Sequence, residues 1–197
     1  MSSAAAKTDT RTQILDAALG LMQQGRAAAN LVQVAKAAGV SRQAVYLHFA
    51  DRADLYLSLV RHIDAKRDLA GAIARIEAAP DGQAMLAEAV AMQARMNPAL
   101  HPIAAAMDAV RGEDAAIEAA WQDRLNHRRA GAEGMIARLA AEGLLRPDLD
   151  RTTAADLLWS LLSLRMWEDL VVLRGWSAAQ YEREVLGLIR RTLLAQP

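Results

Sequence analysis

Arg42, Gln43 and Ala44 follow Ser41 at the head of a short segment whose apolar positions, Val45 and Phe49, stand four apart. Side chains of these types suit recognition more than bond-breaking. A guanidinium can present two parallel donors to guanine O6 and N7, and a carboxamide can pair likewise with adenine N6 and N7; Ala44 or Leu47 can pack on a thymine methyl. Tyr46, His48 and Arg52 suit phosphate oxygens, contacts that set register without reading sequence. Catalysis has no comparable set. His48, His62, His101 and His127 are dispersed, with no two at metal-binding helical spacing. The sequence holds no glycine-rich phosphate loop, no Gly-x-Ser-x-Gly and no matched Ser/His/Asp set. Cysteine is absent, which removes disulfides, thiolate metal sites and a cysteine nucleophile. The expectation is a chain that is not an enzyme and uses no metal or cofactor.

A second group of residues suits a small-molecule pocket. The segment from about Glu113 to Glu142 carries an apolar stripe of Ile117, Trp121, Leu125, Ala132, Met135 and Leu139. Arg128 falls on that stripe two helical turns beyond Trp121. A cation there can meet an anionic ligand head group beside an aromatic wall. The plainer reading, a structural carboxylate partner or a stem that snorkels outward, is the favoured one. Met92, Met96, Met107 and Met135 can line an adaptable pocket, although methionines at this spacing are more often core. His101, Trp159 and Trp167 complete the candidate lining.

These groups need helices to hold them. Aromatics make up only 4% of the 197 residues, Ala and Leu dominate, and no segment alternates in the manner of a half-buried strand. The fold class is therefore all-α. Thr10 and Gln13 stand at capping-box spacing before an apolar face through Ile14, Ala18, Leu21 and Met22, and Gly25 stops that helix. Asn30 caps a second helix over Leu31–Ala38, and Ser41 a third from Arg42 to Phe49. Ala35 is small enough for a tight crossing, Gly39 allows a left-handed turn, and Val40 and Val45 point inward; together they form a helix-turn-helix pattern.

A linker helix is expected over about 51–78, a break at Asn97-Pro98, and one helix from about Thr153 to Leu173. A second capping box, Ser177 with Gln180, opens the last helix. Leu157, Leu161 and Leu164, then Val185, Leu188 and Ile189, offer more apolar surface than one hairpin needs. A second copy of the chain is expected to cover it.

Charge supports the same division. Residues 1–62 hold seven Lys/Arg against four Asp, whereas residues 63–197 hold sixteen basic against nineteen acidic side chains. A basic head on an acidic body fits a polyanion partner for the head alone. The expected organisation is an arm over 1–9, a DNA-binding domain over 10–52 and a helical body over 53–197. Met1 to Thr12 lacks the apolar stretch of a signal peptide, and charges interrupt the longest apolar run, so a cytoplasmic protein with no membrane partner is expected.

The pattern resembles the TetR/AcrR family of transcriptional regulators. The residues that carry the likeness are Ile14-Leu15-Asp16-Ala17-Ala18, Gly25, Val34-Ala35, Ala38-Gly39-Val40-Ser41 and Val45-Tyr46-Leu47-His48-Phe49 with Leu55. Looser matches follow in Glu142-Gly143-Leu144-Leu145-Arg146-Pro147, Ala154-Ala155-Asp156-Leu157-Leu158-Trp159 and Arg174-Gly175-Trp176-Ser177. The resemblance implies a homodimer of about nine helices per subunit. Its helix-turn-helix would bind double-stranded operator DNA, its body a small-molecule effector, and its last two helices the partner copy. Arg42, Gln43, Ala44 and Leu47 would then read bases, and Asn30, Tyr46, His48 and Arg52 contact phosphate. Three positions depart from the family: Arg26 replaces a usual aromatic, Asn30 a usual Thr, and Val32 a usual polar residue. The implied function is a repressor released from a palindromic site by its ligand. The alternatives are an activator, or a helical dimerisation or adaptor protein that does not bind DNA.

Overall fold

The computed structural model describes residues 2–24 and 30–195, without the side chains of 2–9. Among the described residues ten α-helices follow one another: α1 Ser2–Gln23, α2 Leu31–Ala38, α3 Arg42–His48, α4 Arg52–Lys66, α5 Leu69–Glu77, α6 Gly82–Asp108, α7 Ala115–Ala141, α8 Arg151–Leu161, α9 Leu164–Trp167 and α10 Ala178–Leu193. A 3-10 turn over Arg111–Glu113 precedes α7, and a π-helical turn over Glu168–Leu173 continues α9. Among the described residues there is no β-strand, only an isolated bridge between Leu145 and Leu194. No described helix is long and apolar enough to cross a membrane.

The helices group into two compact units, Met1–Lys66 with Ala99–Gln122, and Arg67–Pro98 with Asp123–Pro197. The grouping does not follow a boundary at residue 52, because α4 belongs with α1 to α3. In the first unit Ile14, Leu15, Ala18, Val34, Ala35, Val45, Phe49, Leu55, Tyr56, Leu59 and Ile63 form the core. Asp16 accepts hydrogen bonds from Lys66 Nζ at 2.9 Å and His62 Nε2 at 3.0 Å, joining α1 to α4 on the rim of that core. Both bonds hold the Asp16 carboxyl below its ordinary range, that from Lys66 more strongly. In the second unit Leu86, Val90, Ile136, Leu139, Leu158, Trp167, Tyr181, Val185 and Ile189 are packed together.

Four helix limits differ from the sequence expectation. α1 opens at Ser2, not at Arg11 behind a Thr10 cap, so residues 2–9, expected as an arm, continue the helix; their alanines are strong helix formers. Gln13 is thereby freed from capping, and its Nε2 donates to the Ala38 carbonyl at 2.9 Å, binding α1 to the end of α2. The expected stop at Gly25 and the departure at Arg26 lie outside the described residues.

The single linker helix over 51–78 is instead two. Asp68 adopts a left-handed conformation (φ 54°) and its carboxylate accepts from the Gly71 backbone N–H at 3.1 Å, ending α4 and capping α5. A Cβ at position 71 would run into that carboxylate, so any other residue there would make the Asp68 side chain shift.

The expected break at Asn97-Pro98 is absent, and α6 runs through both Pro98 and Pro102. Each proline costs a helix about 3 kcal/mol. Met96, Ala99, Ile103 and Met107, all at most 5% exposed, repeat along that stretch. Burying such side chains contributes roughly 1.5–3 kcal/mol each, enough to offset the cost.

The helix expected from Thr153 to Leu173 breaks at Leu162-Ser163, where Ser163 takes an extended conformation and its hydroxyl accepts from the Met166 N–H at 3.1 Å. The C-terminal carbonyls of α8 are left to find other donors.

Candidate functional site

The helix-turn-helix is built from reciprocal caps. The Asn30 side chain accepts from the Gln33 N–H at 2.9 Å, and the Gln33 side chain accepts from the Asn30 N–H at 3.1 Å. Gly39 then turns left-handed (φ 65°), its N–H reaching back to Ala35 and Lys36 while Val40 N–H donates to the Ala35 carbonyl at 3.0 Å. Ser41 starts α3 by accepting from the Ala44 N–H at 3.1 Å. Asp51 and Asp54 repeat the device at α4, Asp51 accepting from Asp54 N–H at 2.8 Å and Asp54 from Ala50 N–H at 3.1 Å. Each cap satisfies donors that a helix N-terminus leaves open, contributing about 1 kcal/mol. Short helices of seven and eight residues need such help, since isolated helices of that length are marginal in water.

Packing then fixes which way α3 faces. Val34, Val45 and Phe49 are fully buried, and Ala35 is nearly so. The Arg11 guanidinium lies 5.1 Å from the Phe49 ring centroid and donates to the Ser58 hydroxyl at 2.8 Å. With Val45 and Phe49 anchored, the opposite side of α3 points outward. Arg42 and Gln43 are exposed, Ala44 is half-buried, Tyr46 is 57% exposed and Leu47 83% exposed. His48 is half-buried, its ring tilted against Phe49 at 6.3 Å, and Arg52 is half-buried at the start of α4. Asn30 is exposed, but its side-chain oxygen is occupied by the cap. Val32 is an exposed apolar side chain on α2. The candidate DNA-contacting residues are thus exposed or half-buried around α3, while Arg11, which sequence reasoning did not single out, and Gln13, read there as a capping residue, brace α2 to α4 from α1. Only their polar character amid an apolar helix face could have signalled that role.

Residues 14–59 match the sequence profile of the bacterial regulatory proteins, tetR family. Over that segment the chain resembles the tetR family. The transcriptional regulator AcrR of Shigella flexneri, described as helix-turn-helix type, is 53% identical over 49 residues. The match covers 24% of this chain and 23% of that relative, so it speaks for the N-terminal segment alone. The fold likeness extends much further. A protein from Saccharomonospora viridis solved in complex with choline superposes with a TM-score of 0.79 at 17% identity, covering 96% of this chain and 100% of that one. NalD of Pseudomonas aeruginosa, the secondary repressor of the MexAB-OprM efflux pump, gives 0.72 at 22% identity, covering 97% and 98%. The fold is thus that of tetR-family regulators: an N-terminal helix-turn-helix followed by a larger helical region.

The expected pocket residues are divided between the two units. His101, Met107 and Trp121 belong to the first unit, and Met92, Met96, Arg128, Met135, Trp159 and Trp167 to the second. Met107 and Met96 are buried core residues, and Met92 and Met135 are half-buried. Trp121 is covered by Arg111, whose guanidinium carbon lies 5.3 Å from the ring centroid and which also bonds Asp108 at 2.7 Å and Glu118 at 2.8 Å.

The aromatic neighbour of Arg128 is therefore Trp159, 5.1 Å away, and not Trp121. Arg128 Nη2 donates to the carbonyls of Trp159 at 3.0 Å and Leu162 at 3.3 Å, the acceptors freed where α8 ends. A cation is favoured at that negative end of a helix dipole. The structural carboxylate expected for it is not among its partners in the described residues. Burial, and secondarily the like charge of Arg124, lowers the Arg128 pKa.

The expected dimer surface also needs correction. Val185 and Ile189 are at most 1% exposed within a single chain, packed with Tyr181 and Leu193. They recur every four residues along α10 and face the subunit's own core, so they have no surface left to give. Leu157, Leu161, Leu164 and Leu188 are half-buried and keep some. Val172, 51% exposed, and Leu173 stand out in the π-helical turn, whose altered period no sequence pattern announced.

Proposed function

We propose that the protein is a cytoplasmic, homodimeric repressor that reads a palindromic operator through α3 and leaves it when its helical body binds a small molecule. The observation that carries this reading is the outward face of α3: Arg42, Gln43 and Leu47 point into solvent from a helix locked by Val45 and Phe49. A helix so presented fits the major groove, with Arg42 and Gln43 pairing to purine edges and Ala44 and Leu47 meeting thymine methyls. Tyr46, His48 and Arg52 would hold phosphates, with Asn30 contributing the amide nitrogen that its cap leaves over.

Leu157, Leu161, Leu164 and Leu188, with the exposed Val172 and Leu173, would form the partner-facing surface. Two-fold pairing places the two reading helices about 34 Å apart, one turn of the duplex. The choline complex of the S. viridis protein and the repressor role of NalD support the ligand-responsive part of the reading. Selection of bound duplexes from a random pool, at low salt, tests it. The expected product is an inverted repeat with half-sites about 10 base pairs apart or a multiple of that. A pool that stays random after repeated selection would reject DNA reading.

A further inference from the structure

Tyr181 is wholly buried, yet its hydroxyl has no hydrogen-bond partner, and the indole Nε1–H of Trp159 is likewise enclosed and unpartnered. Buried polar groups are ordinarily satisfied, so these two, beside the Asn97 amide of the same unit, call for a reason. Both belong to the surroundings of Arg128. Its guanidinium stacks on the Trp159 ring, and Tyr181 feels its positive charge. Nη2 is committed to the two α8 carbonyls, which leaves Nε and Nη1 with no protein acceptor among the described residues. No carboxylate of the described residues pairs with this cation, and the other charged side chain acting on it is Arg124, also positive. Arg128 is half-buried, and a cation drawn that far from water is ordinarily paired.

The donors share one property. A guanidinium and an indole only donate, and a phenol can. Three such groups fit a ligand that only accepts. The neighbours Leu158, Leu162 and Trp167 are buried and apolar, with Trp167 packed edge-on to Tyr181 at 4.8 Å. Walls of that kind suit an apolar body behind a single negative charge, because a doubly charged group would lose far more hydration on entry.

We propose that Arg128, Tyr181 and Trp159 form the recognition site for the carboxylate of an apolar organic acid. Arg128 supplies the counter-charge, Tyr181 and Trp159 the orienting hydrogen bonds, and the Trp159 ring a flat wall. The proposal rests on the reading of the helical body as effector-binding, and its calorimetric test omits DNA so that the two can fail separately.

Full-length protein is titrated calorimetrically with benzoate, indole-3-acetate and octanoate, and with the primary amide of each. At least one carboxylate is expected to bind, and at least tenfold tighter than its amide. Arg128→Gln should weaken that binding tenfold or more. Tyr181→Phe keeps the ring and its packing on Trp167 and removes only the hydroxyl. It should weaken binding severalfold with an unchanged Tm, and it decides the matter should Arg128→Gln fail to fold. Absence of binding by all three acids, equal binding of acid and amide, or full affinity in the folded variants would overturn the assignment. A carboxylate that binds as described but leaves DNA affinity unaltered would support this site and remove only the effector role.

Discussion

Leu47 on α3 stands 83% exposed, whereas Tyr181 on α10 is wholly buried with its hydroxyl unsatisfied. One unit sends an apolar side chain into solvent; the other sends a hydroxyl, and the amide of Asn97 at 2% exposure, into its interior. Each reverses the ordinary partition of side chains, and such reversals are what carry information. Their directions match the partners each would serve. A duplex is too large to enclose, so the groups that read it must be displayed in advance on a rigid helix. A small molecule can be enclosed, and the groups that select it can wait inside. The neighbours follow suit: Arg42 lies in solvent, while Arg128 spends Nη2 on backbone carbonyls.

The contrast within α3 is the easiest to break. Phe49→Ala removes a fully buried ring that Arg11 covers, and should cost about 3–5 kcal/mol in urea unfolding, with loss of any DNA binding. A loss below about 1 kcal/mol would show that α3 is not anchored as described.

The interior of the second unit has its own signature. Burial pushes the Tyr181 hydroxyl from its ordinary 10.0 up to about 12, so the folded chain keeps a proton that the unfolded chain releases near pH 10. Stability should therefore be intact below about pH 10 and fall as pH rises towards 12, by roughly 2–3 kcal/mol from this group. Tyr56, raised for the same reason, adds to the slope. Denaturant titrations of the parent and Tyr181→Phe across pH 9–12 should show a shallower decline in the variant; parallel curves would contradict the burial.

Smaller effects sharpen the display side. A Cβ on Gly39 would meet nothing within 4 Å, so Gly39→Ala should cost only the left-handed backbone, about 1–2 kcal/mol. Leu47→Ala should change stability by less than about 0.5 kcal/mol, because the side chain buries almost nothing in the free protein. A larger change in thermal unfolding would mean that Leu47 packs on something within the chain.

The first unit was the more legible. Asn30, Gly39 and Ser41 each do one local job that residue type announces, and Val45 and Phe49 stand four apart, so the facing of α3 followed from sequence. The second unit turns on choices that local chemistry leaves open. Asp68 could as well have been a solvated helix residue, and its left-handed cap depends on Gly71 three positions later. Ser163 begins α9 inside an apolar run that reads as one helix, while Pro98, a breaker by type, is carried through because the stripe from Met96 to Met107 is buried. For Arg128, stripe spacing pointed to Trp121 as the aromatic wall, whereas the break in α8 brings it Trp159 and two free carbonyls. Spacing along one helix cannot show what another helix brings opposite it.

The proposed reading of base edges by the displayed face of α3 can be measured. Its most direct test is a binding titration of Arg42→Ala on a selected inverted-repeat duplex and on random duplex of equal length and salt. The account predicts a loss of about 1–3 kcal/mol on the selected site, relaxed preference at one base position, and little change on random DNA. An equal loss on both duplexes would make Arg42 a phosphate contact and contradict the reading.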